Sequence, residues 1–97
     1  MADYGYLEDK EALIGRLHRI EGQVRGIERM VAEERYCIDI LTQISAATTA
    51  LDAIALKLLE GHVGSCVATA MASGDEAAAK AKSRELVEAV ERFARAR

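Results

Sequence analysis

The sequence predicts an all-α protein built from a three-helix protomer, on three observations. Its 97 residues are 51% apolar but only 4% aromatic, so Ala, Leu, Ile and Val must supply the core, which is a helical vocabulary. No proline interrupts any long helix. Apolar residues at Leu13, Leu17, Ile20, Val24, Ile27 and Val31 recur at alternating steps of four and three, the seam of a helix that lies along another.

Each element follows in order. Met1 to Leu7 reads as a short tail. Glu8 or Asp9 is placed to cap a first helix that carries the seam and runs to about Glu33. Gly15, Gly22 and Gly26 weaken this helix and lie near one face, as expected where a neighbouring helix comes close. Residues 33–36 are polar and predict a tight turn. A second helix starts near Tyr36 or Cys37 and continues through Leu41, Ile44, Leu51, Ile54, Leu58 and Val63 to about Met71. Lys57 is its one Lys or Arg, and a helix so apolar expects burial on several sides. Gly74 then provides a stop and Asp75 a cap. A polar, Ala-rich third helix spans about Asp75 to Ala94, with Leu86, Val90 and Phe93 facing inward.

No repeat, low-complexity tract or linker divides the chain, so residues 1–97 read as one domain. A domain this small gains core by oligomerising. Its net charge of −3 does not suggest a nucleic-acid binder, so a DNA function would need a local basic face. The N-terminus lacks a basic start followed by an apolar core, and no run of about 18 apolar residues suggests a membrane span. The chain therefore reads as cytoplasmic, where Cys37 and Cys66 remain thiols.

His62 and Cys66 are four apart and share one helix face, a two-point chelate. Cys37 precedes His62 by 25 positions, or roughly 37 Å along a continuous helix at the α-helical rise. The stretch from Ser45 to Leu51 contains nothing that breaks a helix, so one chain cannot gather all three. Two copies of the second helix, crossing antiparallel near Ala50 and Leu51, would bring Cys37 of one to His62 and Cys66 of the other. With the first helices added, this is an antiparallel four-helix-bundle dimer. Two thiolates and an imidazole are a soft set that suits Cu(I). Three ligands with an open position also suit zinc. A cysteine and a histidine on an apolar helix are, taken alone, more often packing than chemistry.

At these residues the chain resembles the copper-sensitive operon repressor (CsoR) family, within the wider CsoR/RcnR-like regulators. The likeness covers about Ala12 to Phe93. It is carried by Arg16-Leu17, by Ile20 to Ile27 (IEGQVRGI), by Tyr36 to Ala46 (YCIDILTQISA) and by His62 to Cys66. The resemblance implies three helices, an antiparallel dimer with interfacial metal sites, and a dimer of dimers, a homotetramer. It assigns Cys37, His62 and Cys66 as Cu(I) ligands, since the copper branch uses Cys-His-Cys. The nickel- and cobalt-sensing branch uses more histidines, including one near the N-terminus, and residues 2–10 contain none. The persulfide-sensing branch lacks the histidine, and the formaldehyde-sensing branch typically lacks the second cysteine.

The same resemblance places Tyr36 and Glu85 behind His62, fixing its tautomer and orientation. It makes Arg16 the leading DNA-contact candidate, with Arg19 and Arg25 behind it. These lie on a first helix whose local excess of arginine would be multiplied in a tetramer; alone it reads as a solvated face with pairs such as Glu21 with Arg25. Two departures stand out. Asp52-Ala53 occupy a place that relatives can fill with a basic residue, and Gly61 and Gly64 flank His62. Lys57 reads as a solvated lysine first and as a weak substitute DNA contact second. The implied function is a repressor whose apo form binds operator DNA and whose Cu(I) form lets go, derepressing copper-resistance genes. Competing readings are another inducer on the same scaffold (nickel, cobalt, persulfide or formaldehyde), a copper buffer without DNA function, and a helical assembly module with idle thiols. No nucleophile elbow, phosphate loop or zinc-protease motif supports an enzyme.

Overall fold

A computed structural model describes residues 4–96. A 3-10 turn, Leu7–Asp9, leads into α1, Lys10–Ala32. Helix α2 spans Cys37–Gly61 and passes into a π-helical segment, His62–Val67, followed by α3, Ala68–Ala72. Helix α4 spans Glu76–Arg95. The described residues contain no strand. The predicted first and third helices are α1 and α4. The predicted second helix is helical over its whole length but changes winding at His62.

The turns are set by backbone chemistry. After α1, Glu34 adopts a left-handed conformation at φ 57°. This lets the Glu34 amide donate to the Val31 carbonyl at 3.1 Å and the Arg35 amide to the Met30 carbonyl at 2.9 Å. Two of the last carbonyls of α1 are thereby satisfied in the Schellman pattern. After α3, Gly74 takes φ 78° at the equivalent position, where glycine carries no Cβ penalty. Asp75 then accepts from the Ala77 and Ala78 amides at 3.0 and 3.2 Å and caps α4 as predicted. Asp9 stands at the N-cap of α1 but makes no capping bond. Its Oδ2 lies 3.8 Å from Lys57 Nζ, so the carboxylate expected to cap faces an ammonium group instead.

The described residues form two compact units, Tyr6–Leu59 and a second one made of 4–5 with 60–96. In the first, α1 packs on α2 through Leu13, Ile20 and Ile54, with Ala50 against them. Only half of the expected seam is therefore used within this unit: Leu17, Val24 and Val31 are exposed. Helix α2 likewise buries Ala47 and Ile54 but leaves Ile38, Leu41, Ile44, Leu51 and Leu58 in solvent, where burial on several sides was expected. A Cβ added at Gly15, Gly22 or Gly26 would meet nothing within 4 Å, so the close approach expected at these glycines is not seen among the described residues.

In the second unit Val67 is buried. Leu86 is half-buried, while Val90 and Phe93 are exposed, which corrects the inward placement of these two. Gly5 lies so close to the Gly61 carbonyl that a Cβ at this position would collide with it.

An eighteen-residue window within Cys37–Ala72 has a mean hydropathy of 1.2, enough by length and composition to cross a membrane. Ser, Thr and Gln break up its apolar runs, which is why no unbroken span is visible in the sequence. Only 11% of that window is buried, so the stretch is an uncovered apolar surface in the protomer.

Candidate metal centre

His62 and Cys66 both lie in the π-helical segment. A π-helix closes i→i+5 hydrogen bonds in place of i→i+4, and such turns occur frequently at functional sites. Gly61 immediately precedes the segment and Gly64 lies inside it. Glycine is a weak helix former, so the backbone here gives up little by leaving α geometry. These two glycines were the sequence signal for the altered winding, visible as a loosened turn but not as a defined conformation.

Both candidate ligands are half-buried. Cys37 is the first residue of α2 and is exposed. Both cysteines are free thiols. Helix α2 is unbroken from Cys37 to Gly61, as the sequence from Ser45 to Leu51 predicted. Among the described residues, no three of His, Cys, Asp and Glu gather at one point.

The structure brings Glu85 to His62. Glu85 Oε1 lies 3.8 Å from His62 Nε2, within ion-pair range but too long for a hydrogen bond. The same oxygen lies 3.7 Å from Lys82 Nζ, one turn earlier on α4. Lys82 did not stand out in the sequence, because a lysine on a polar helix face carries no motif. Tyr36 is exposed, just before α2.

The three candidate DNA contacts separate on α1. Arg16 and Arg19 line one groove of about 340 Å³ with Ile20, Gln23, Ala50 and Ala53. Arg25 is nine residues beyond Arg16, about two and a half turns, and so lies on the opposite side of the helix. There it pairs with Glu21 at 3.9 Å, the i,i+4 contact anticipated above. Lys57 is occupied by Asp9, which reduces its value as a substitute basic contact. Gln23 is a second residue that sequence reasoning missed: its Oε1 is buried without a hydrogen-bond partner. Buried side-chain oxygens are rarely left in that state.

Residues 9–92 match the family described as metal-sensitive transcriptional repressors. The chain belongs to that family. Within it, the chain is 55% identical over 73 residues to the copper-sensing transcriptional repressor RicR of Mycobacterium tuberculosis, covering 75% of this chain and 76% of the relative. Among solved structures, it superposes on the Cu(I)-bound copper-sensing repressor CsoR of Geobacillus thermodenitrificans with a TM-score of 0.85 and 45% identity, over 97% of this chain and 94% of that one. It also superposes on the nickel-responsive transcriptional regulator InrS with a TM-score of 0.73 and 40% identity, over 86% and 90% of the two chains. The all-α architecture read from the sequence is the one these relatives share.

Proposed function

We propose that this protein is a cytoplasmic, copper(I)-responsive transcriptional repressor whose apo form binds operator DNA and whose Cu(I) form releases it. The observation that carries the reading is the placement of His62 and Cys66 on one π-helical segment, with a third candidate ligand, the free thiol of Cys37, at the far end of an unbroken α2. Two thiolates and one imidazole form a soft donor set that fits Cu(I). Metal-sensing repressors at 55% and 45% identity, both named for copper, support the same choice.

One chain supplies an incomplete ligand set, so Cys37 completes the site from a second copy. The uncovered apolar surfaces of α1 and α2 supply the interface of an antiparallel dimer. Two dimers then form a tetramer, which repeats the Arg16–Arg19 groove four times. Arg16 and Arg19 contact DNA from that groove, and Arg25 contributes from the other side of α1. Tyr36 and Glu85 act behind His62, holding the nitrogen that does not bind metal. Copper and DNA are linked reciprocally: the metal loosens DNA only by binding the DNA-free form more tightly.

Anaerobic titration of the reduced protein with Cu(I) against a competing chelator tests the reading. One tight Cu(I) per chain is expected, abolished equally in Cys37→Ala and His62→Ala. Tight Ni(II) binding without tight Cu(I) binding would replace the inducer, a reading that the InrS likeness favours. High-affinity Cu(I) binding with no loss of operator binding would leave a buffer and no switch.

A further inference from the structure

Glu85 does not face His62 alone. One carboxylate oxygen, Oε1, stands between two nitrogen groups, Lys82 Nζ at 3.7 Å and His62 Nε2 at 3.8 Å. Lys82 and Glu85 are three apart on α4 and so lie on one face of it. The start of that helix is fixed by the Asp75 cap. Neither pair has closed to hydrogen-bond length. The imidazole is the most buried of the three side chains, with 30% of its surface exposed against 43% for Lys82 and 56% for Glu85.

We propose that Lys82 is a positioning residue that holds the Glu85 carboxylate and sets how strongly it can orient His62. The inference rests on the reading of His62 as a copper ligand. When one ring nitrogen binds a metal, the other carries the proton and seeks an acceptor, and that acceptor fixes the ring. Glu85 is the carboxylate within reach, but it must approach to make the bond. An ammonium group at 3.7 Å on the same oxygen opposes the approach, because a carboxylate shared between two donors binds each more weakly. Lys82 therefore acts as a counterweight: it competes for the oxygen that faces the histidine and limits its pull.

The test is a double-mutant cycle read as Cu(I) affinity against a chelator, with Lys82→Met, Glu85→Gln and the double variant. Exposed ion pairs are worth little, so the expected interaction is small. The loss of affinity caused by Glu85→Gln should be about two- to fivefold larger with Met at position 82 than with Lys, within the range of such pairs. Lys82→Arg keeps the charge and should restore the wild-type loss. An unchanged loss in the Lys82→Met background overturns the proposal. So does a Glu85→Gln loss that is absent in both backgrounds while His62→Ala still weakens copper, and in that case the copper reading stands. A Cu(I) affinity untouched by His62→Ala overturns that reading and the proposal with it. Circular dichroism of each variant guards against misfolding, and Lys82→Gln gives a second neutral replacement for the same cycle.

Discussion

The Arg35 amide donates to the Met30 carbonyl across 2.9 Å, and Glu34 between them is held at φ 57° so that it can. The chain thus reverses immediately before Tyr36 and Cys37 on a non-glycine residue in the left-handed region. Such a residue costs about 1 kcal/mol relative to glycine. Glu34→Gly should therefore raise stability by up to about 1 kcal/mol, less the added freedom of the unfolded chain. Glu34→Val should lower it. Chemical denaturation at one fixed protein concentration reads both.

Asp75 holds the first turn of α4 through Ala77 and Ala78. Asp75→Ala should cost about 1 kcal/mol. It should also loosen the helix that carries Glu85. Amide exchange should quicken first at Ala77 and Ala78, and Asp75→Ser should recover most of the loss.

The division of basic residues on α1 gives unequal mutants. Arg16→Ala and Arg19→Ala remove side chains from one groove. Each arginine that no longer neutralises a phosphate should reduce the salt dependence of operator binding by about one in log-log slope. Arg25 is on the other side and is partly neutralised by Glu21. Arg25→Ala should change affinity less than Arg16→Ala. Fluorescence anisotropy over a series of salt concentrations separates them, and a larger effect from Arg25 would point DNA to the opposite face.

Gln23 combines a burial cost with a place in the arginine groove. An unpartnered buried acceptor costs on the order of 1–3 kcal/mol. Gln23→Met, close in volume and without the amide, should stabilise the apo protein by about 1 kcal/mol. The same variant should weaken operator binding, so stability and affinity move in opposite directions. A variant no more stable than wild type would mean that the oxygen finds a donor in solution.

Glu85→Ala should leave Cu(I) bound, since the three proposed ligands remain, while reducing the copper-induced drop in DNA affinity. Paired titrations of the apo and copper-loaded variant measure that ratio. An undiminished response would remove Glu85 from the route between the sites.

Helix positions were legible because their determinants are local. The 4-3 spacing of Leu13 to Val31, the polar break after Glu33 and the Asp75 cap each act within a turn or two of chain. The placement of His62 and Cys66 on one helical segment was legible for the same reason. Burial was not. Val90, Phe93 and half of the α1 seam are exposed because periodicity names an apolar face without naming what covers it. The switch to π winding at His62 was only hinted at by Gly61 and Gly64, since the choice between two hydrogen-bond registers depends on small differences over several residues. Lys82 carries no motif, and Gln23, although inside the Ile20 to Ile27 stretch, has no role assigned by it; both emerged only from distance and burial.

The scarcity of interior has a further consequence. Only Leu13, Ile20, Ala47, Ile54 and Val67 are buried hydrophobic residues in the described protomer. A chain with so little interior is stabilised by whatever covers its faces, and for copies of itself that stabilisation follows mass action. On the proposed self-assembly, its abundance becomes an input to the signal it reports. If copies of this chain cover those faces, a cell holding few copies would hold more than proportionally fewer folded readers, and dilution would relieve repression in the same direction as the proposed inducer does.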